Sequence, residues 1–375
     1  MRKIQMVDTK NQYLAIKKEV DQAIQEVLDS AAYINGKAVK DFAQNLSAYL
    51  KVNYVIPCAN GTDALQIAMM ALGLQPGDEI ITPSFTYIAT TEVVALLGLK
   101  PVFVDVDPTT FCMDIESLKK AITPRTKVIV PVHLYGHAAP MEPIMEIAKE
   151  HNIYVIEDNA QAIGCDYTFS DGTTKKTGTI GHIGATSFYP SKNLGAFGDG
   201  GALCTNDSLL ADKMTMIANH GQSARYYHDI VGCNSRLDSI QAAILNIKLK
   251  KLDEYNIARQ KVATYYNEAF ASIKEIITPS QANYSSHVYH QYTIQLKGVN
   301  RASLMEHLAA KDIPCMIYYP VPGHLQKMFG EQKNNHWLLP ITDSLTPCVC
   351  SLPIHTEMDE TQLAYIVEGV KSFFN

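Results

Sequence analysis

Hydrophobic positions along this chain follow two rhythms. Up to residue 50 they recur every three or four residues. Ile16, Val20, Ala23, Ile24, Val27 and Leu28 share one face over residues 13–30, which predicts a helix. A second amphipathic helix is predicted over 37–50, after Asn35-Gly36. From residue 54 short apolar runs alternate with helical stretches. The spacing predicts strand Tyr54–Cys58 then helix 61–72, strand Glu79–Thr82 then helix 87–97, strand Pro101–Val106 then helix 114–122, and strand Lys127–Val132 then helix 141–151. Strands at Ile153–Asp158, Ala185–Tyr189 and Gly201–Thr205 follow. This β-α repetition implies an α/β protein, with a mostly parallel sheet covered by helices on both faces.

The pattern changes again further on. Arg236 to about Phe270 reads as one long helix or two joined ones. Beyond residue 275 a smaller α+β lobe is expected, with strand 288–296, helix 302–311, strand 313–318 and a last helix near 359–374. The segment 320–347 is rich in Pro, Gly and Asn and reads as loop. The expected division is a large domain over 1–245, N-terminal helices included, and a connecting helix with a small C-terminal domain over 246–375.

Composition narrows the function classes. Of 375 residues, 47% are hydrophobic and 19% charged, enough for a sizeable core. A net charge of -6 argues against nucleic acid or an anionic membrane as the main partner, without excluding a local basic pocket. No apolar run reaches the roughly 18 residues that a bilayer span needs, and the first residues lack a signal-peptide core, so a cytoplasmic location is expected. Eight cysteines are scattered, mostly in apolar segments, and read as reduced thiols. Cys348-x-Cys350 has no second cysteine pair and no suitable histidine near it, and a strand and Gly136 separate His133 and His137 from a helical metal pair; no metal is expected.

Three elements carry candidate chemistry. Ala59-Asn60-Gly61-Thr62-Asp63-Ala64-Leu65 follows a strand and opens a helix, where free N–H groups, the helix dipole and the Thr62 hydroxyl favour an anion. The same residues would also make a plain Asn/Gly turn with a helix cap. Asp158 ends an apolar strand in Val155-Ile156-Glu157-Asp158-Asn159-Ala160-Gln161, where a carboxylate calls for a cation; a protonated pyridine nitrogen would serve, as would a helix cap or a metal. Lys192 stands between the strand ending at Tyr189 and the glycines 195, 198, 200 and 201. A buried lysine loses its proton readily and suits Schiff-base chemistry, although a solvated loop lysine fits the segment too. Neither G-x-G-x-x-G after the first strand nor a P-loop is present. Together, an anion cradle, a strand-end carboxylate and a glycine-flanked lysine are the three anchors that pyridoxal 5'-phosphate (PLP) needs for its phosphate, ring nitrogen and aldehyde.

These motifs, with Asn60-Gly61-Thr62-Asp63-Ala64-Leu65, Glu157-Asp158-x-Ala160-Gln161, Ser187-x-x-x-x-Lys192, Gly198-Asp199-Gly200-Gly201 and Asn234-Ser235-Arg236-Leu237-Asp238-x-x-Gln241 in order, resemble the DegT/StrS-type sugar aminotransferases over essentially the whole chain. The resemblance implies a fold-type-I PLP aminotransferase. It assigns Lys192 to the covalent cofactor link, Asp158 to the pyridinium nitrogen, Gln161 to the neighbourhood of the phenolic oxygen and Tyr87 to stacking on the ring. Gly61, Thr62 and Ser187 would hold the phosphate, joined by Asn234 from a second subunit, so that a homodimer is the expected unit. Asn159 departs from the family, which commonly has Ala there, and Gly323 stands where Leu is frequent.

By the same resemblance, Tyr318-Tyr319-Pro320-x-Pro322 points to the branch that aminates C3 of nucleotide-linked 3-keto sugars. A UDP-linked 3-keto uronate with L-glutamate as donor is the expected pair, feeding surface polysaccharide synthesis. Arginine suits bidentate recognition of a uronate carboxylate. Arg225 and Arg236 are therefore candidates, with His228, Tyr318 and Tyr319 nearby; a solvated Arg225 and an Arg236 ion pair at a helix start are the alternatives. Competing functions are a dTDP-3-oxo-6-deoxyhexose 3-aminotransferase, a dehydratase of the same fold with histidine in place of the lysine, and a PLP-binding regulatory or silent subunit. Lys192 argues against the dehydratase, and the retained lysine and aspartate against the silent subunit.

Overall fold

The computed structural model describes residues 2–329 and 337–374. Three helices open it: α1 (Thr9–Ala15), α2 (Lys17–Ser30) and α3 (Lys37–Leu50). The helix expected over 13–30 is thus two, broken at Ile16, whose side chain is buried. In α3, Val39, Phe42, Leu46 and Leu50 form the buried stripe that the spacing predicts.

The α/β region runs β1 (Tyr54–Cys58), α4 (Gly61–Ala71), β2 (Glu79–Pro83), α5 (Ala89–Leu96), β3 (Lys100–Val104), α6 (Ile115–Ala121), β4 (Thr126–Ile129), α7 (Met141–His151) and β5 (Tyr154–Asp158). A small hairpin, β6 (Asp166–Thr168) and β7 (Thr174–Lys176), precedes β8 (Ile183–Ser187), β9 (Gly201–Thr205) and α8 (Ser208–Ala218). Seven strands form one sheet in the order β1-β9-β8-β5-β4-β2-β3. Only β9 runs against the others, pairing antiparallel with both β1 and β8. The sheet is mixed and mostly parallel, as expected.

Alternate side chains of the central strands enter two separate cores. Ile80, Val128 and Ile156 pack with α4, α5 and α8 on one face, while Ile81, Ile129 and Val155 pack with α6 and α7 on the other. Each such side chain contributes about 1.5–3 kcal/mol when fully buried, so strands covered on both sides read as unbroken apolar runs. Hydrogen-bonding side chains fix the helix starts: Asn60 accepts the Asp63 N–H, Asp114 that of Ser117, and Asp207 those of Leu209 and Leu210.

A hairpin of β10 (Gln222–Ala224) and β11 (Tyr227–His228) leads to α9 (Ser239–Leu249) and α10 (Leu252–Phe270), two joined helices. A three-stranded antiparallel sheet follows, β12 (Ile276–Ile277), β13 (Tyr292–Leu296) and β14 (Val349–Leu352), with α11 (Arg301–Ala309), α12 (Pro340–Leu345) and α13 (Glu360–Phe374). Its core joins α10, α11 and α13, and Ile4 packs into it from the N-terminus.

Three expectations need correction. The strand foreseen at 313–318 is irregular, with one bridge from Met316 to Ser351; Pro314 has no N–H to give a ladder. The strand foreseen at 288–296 begins only at Tyr292, because Val288 and Gln291 donate instead to the carbonyls of Gly136 and Tyr135. Within 320–347 lies α12, and residues 330–336 of that segment lie outside the described residues. No helix among the described residues is long and apolar enough to cross a membrane.

Candidate active site

The carboxyl ends of the strands surround a cavity of about 710 Å³. Its walls include Gly61, Thr62, Tyr87, Asp158, Gln161, Ser187, Lys192, Tyr318 and Tyr319, so nine of the residues singled out from the sequence meet in one place.

Asp158 terminates β5, the strand between β4 and β8. Its backbone is pinned on both sides: its N–H donates to Pro131 O at 2.9 Å, and the next N–H, of Asn159, to Ala185 O at 2.8 Å. Its carboxylate accepts from Thr90 Oγ1 at 2.8 Å and from the Ala160 N–H at 3.2 Å. Burial nevertheless raises the carboxyl pKa, against the pull of these donors and of the positive charge on Lys192. A cation placed at its free side would relieve that cost.

Behind it, His133 Nδ1 accepts the Ala139 N–H at 2.9 Å, which leaves the ring proton on Nε2, 2.8 Å from Glu157 Oε2. Glu157 also accepts the N–H groups of Gly178, Ile180 and Gly181 at 2.6–2.7 Å. His133 and Glu157 are fully buried, and their cluster anchors the end of β5. His137 is committed as well, donating from Nδ1 to Ala138 O and accepting the Ala282 N–H at Nε2. Burial holds its pKa down to about 4, so it is neutral near pH 7.

Lys192 lies in a tight turn after β8, where its own N–H donates to Tyr189 O at 2.8 Å and the Ala196 N–H returns to Phe188 O at 2.7 Å. Gly195 passes so close to this turn that a Cβ would stand 2.4 Å from Pro190 O. Burial lowers the lysine pKa to about 8, opposed by the Asp158 charge. The amine is therefore available uncharged far below the pH that an exposed lysine requires.

At the other end, α4 opens toward the cavity. Asn60 Oδ1 takes the Asp63 N–H at 2.8 Å and Asn60 O the Ala64 N–H at 3.1 Å, while the N–H groups of Gly61 and Thr62 have no partner among the described residues. Ser187 closes the cradle: a Cβ on Gly61 would lie 2.7 Å from Ser187 Cβ. Orphan donors at a helix start beside two hydroxyls fit a phosphate. Phosphate cradle, strand-end carboxylate and half-buried amine line one cavity, so the residues present fit PLP.

Two tyrosines frame the space between these anchors. Tyr87 is 55% exposed, with its ring centroid 5.8 Å from that of Tyr319. Gln161 is oriented from both ends, accepting the Tyr135 N–H at 2.7 Å and donating to Tyr319 OH at 2.8 Å. The two departures from the family fall outside these contacts. Asn159 turns its amide toward Thr177 O, at 3.1 Å, and does not line the cavity. Gly323 packs where a Cβ would be 2.8 Å from Phe103 Cε1, so a leucine does not fit this loop as it stands.

Four candidates lie elsewhere. Arg225, His228 and Asn234 are exposed and Arg236 half-buried, on or just after the β10–β11 hairpin, and none lines this chain's cavity. Conversely, the sequence reading missed Thr90, His290 and Gln291. Thr90 sits in the first turn of α5, one turn after Thr86, and nothing local marks it as the partner of Asp158. His290 and Gln291 enter the cavity wall because the chain leaves β13 before Tyr292. Burial drives the His290 pKa well below that of a free imidazole, assisted by Lys192, so the site carries one titratable amine beside a neutral ring.

The profile of the DegT/DnrJ/EryC1/StrS aminotransferase family matches residues 14–371. The chain is 45% identical to the UDP-2-acetamido-2-deoxy-3-oxo-D-glucuronate aminotransferase of Pseudomonas aeruginosa, covering 97% of this chain and 98% of that protein. It is 42% identical to a UDP-N-acetyl-3-dehydro-alpha-D-glucosamine 3-aminotransferase of Acidithiobacillus ferrooxidans, covering 98% and 97%. A protein of Geobacillus stearothermophilus named pleiotropic regulatory protein is also 42% identical, covering 99% and 98%. Among solved structures, NtdA of Bacillus subtilis with bound cofactor PMP superposes with a TM-score of 0.90 at 32% identity, covering 99% of this chain and 85% of that one.

Proposed function

Since the chain belongs to the DegT/DnrJ/EryC1/StrS aminotransferase family and is a PLP-dependent transaminase, we propose that its substrate is a UDP-linked 3-keto uronate sugar, aminated at C3 with L-glutamate as donor. The observation that carries the proposal is the approach of Lys192 and Asp158 across one cavity, together with the name and 45% identity of the P. aeruginosa relative.

The cofactor, when bound, supplies an aldehyde and an electron-withdrawing ring. The chain's own residues do the rest. Asp158 would keep a proton on the ring nitrogen. Lys192 Nζ would act as the base that takes the proton from the donor's Cα, and as the acid that returns one to C3 of the sugar. Gly61, Thr62 and Ser187 would hold the phosphate, Tyr87 would cover the ring, and Gln161 orients Tyr319. Donor and acceptor use the same site in turn, which gives ping-pong kinetics.

The substrate's carboxylate needs a cation, and among the described residues the cavity wall offers none beyond Lys192. A homodimer would supply it. Tyr226 and Val231, 79% and 82% exposed, make the hairpin region an apolar surface suited to a second copy. In that arrangement the partner subunit's Asn234 completes the phosphate site, and the partner's Arg225, His228 and Arg236 face the sugar next to Tyr318 and Tyr319.

The test is turnover of a panel of UDP- and dTDP-linked 3-keto sugars with glutamate. Highest kcat/KM on the UDP-uronate is expected; preference for a dTDP-linked 6-deoxyhexose would replace the substrate assignment. A regulatory protein without catalysis would leave the absorbance of the bound cofactor unchanged when glutamate is added, whereas a transaminase converts it to the amine form.

The pH of cofactor uptake provides a separate check. The cofactor's aldehyde reacts with uncharged Lys192, so uptake by cofactor-free protein is expected to quicken about tenfold per pH unit at low pH. It should level off near pH 8, where this amine loses its proton. A rate that keeps climbing to pH 10 would show an ordinary exposed lysine.

A further inference from the structure

Three helical side chains reach the back of the turn that carries Lys192. Gln241 Oε1 accepts the Phe197 N–H at 2.9 Å, and Asn256 Oδ1 accepts Asn193 Nδ2 at 2.7 Å. The third is Lys248, inside α9, whose Nζ donates to Gly195 O. Lys248 is the odd member. It is 1% exposed, and its ammonium meets a carbonyl and, at 5.5 Å, the Phe197 ring centroid, with no carboxylate in ion-pair contact among the described residues. Burial, with Arg259 acting in the same direction, lowers its pKa to about 7.

Burying an amine without an anion is costly, and an apolar side chain of that length would pack there at lower cost. What an apolar side chain would not do is satisfy Gly195 O. The turn folds so tightly that the Tyr189 and Pro190 carbonyls crowd the Gly195 α-carbon, and the Lys192 N–H already serves Tyr189. Without Nζ the Gly195 carbonyl is buried and unpaired, and the turn gains by shifting it toward solvent. Both the ammonium and the neutral amine carry N–H donors, so the contact survives the loss of a proton.

Building on the transaminase reading, we propose that Lys248 is a positioning residue: from within α9 it pins Gly195 and so fixes the turn that presents Lys192 to the cofactor. The test is amide hydrogen exchange in cofactor-free protein and in Lys248→Met, which keeps length and removes the donor. Exchange over residues 192–197 is expected to speed up at least about tenfold, while Tyr154–Asp158 and Ile183–Ser187 keep their wild-type rates. Unchanged exchange in the turn, or equal acceleration across the sheet, would overturn the proposal. Should Lys248→Met not fold, Lys248→Gln, which is too short to reach the carbonyl, is held to the same two outcomes. A second readout follows from the same geometry: cofactor uptake at pH 8 slows in the variant, whereas a purely structural role would leave it at the wild-type rate. Exchange is read without cofactor, so the clamp fails or stands there alone; an absent lysine-bound cofactor band in the wild-type protein would instead remove the transaminase reading.

Discussion

Lys192→Ala is expected to remove transamination altogether, with kcat falling by more than about 10⁴-fold. The same side chain is asked to do two jobs: to tether the cofactor covalently and to move the proton between the donor's Cα and the cofactor. General acid-base catalysis alone contributes about 10²–10⁴-fold, and loss of the tether adds to that. Nothing nearby replaces it. The buried Lys248 points its Nζ at Gly195 O behind the turn, and His290 is held neutral in the cavity wall. The visible band of the lysine-bound cofactor should vanish with the activity, while Lys192→Ala still binds the cofactor through the α4 cradle. A variant that keeps both the band and turnover would place the chemistry on another residue.

The second large effect is at Asp158. Substituting Asn preserves shape and the space between Thr90 and Ala160, but a neutral amide no longer favours a protonated ring nitrogen. Groups placed where charge develops typically supply about 10²–10³-fold in kcat. A drop of that size in Asp158→Asn, with the KM for the keto sugar near the wild-type value and the lysine-bound band still present, is the expected result. The split between the two variants matters: one loses the tether, the other keeps it and loses the electron sink. Wild-type kcat in Asp158→Asn would mean that the carboxylate is structural, serving only Thr90 and the Ala160 N–H.

Much of this site was legible in the sequence for a physical reason. The parallel strands are covered on both faces, so β2, β4 and β5 appear as apolar runs, and the run of β5 stops at Asp158, which faces the cavity. Asp158 and Lys192 stood out because each is a charge at the end of such a run. Gly61 and Thr62 stood out because they open a helix after a strand. Their combination pointed to the cofactor, and the resemblance to the family implied the fold-type-I architecture; the family match bears both out.

What escaped the reading lies where local pattern carries no information. Thr90 is an ordinary threonine on a helix, and its role depends on β5 lying two strands away from the strand that precedes it. Residues 288–296 have strand composition, yet Val288 and Gln291 are drawn off to Gly136 and Tyr135 by tertiary contacts. Strand β14 pairs with β13 through only four residues, too few for alternation to show. Arg225, His228, Asn234 and Arg236 lie outside this chain's cavity; in the proposed homodimer a second subunit would set their place, and no single-chain pattern encodes the geometry of that encounter.

The whole account turns on a bond between one nitrogen and the cofactor. Borohydride reduction of the wild-type holoenzyme, proteolysis and mass spectrometry read that bond directly. The account predicts a phosphopyridoxyl mass increment on the peptide containing Lys192 and on no other. An increment on a different lysine, or none on any peptide, would contradict it.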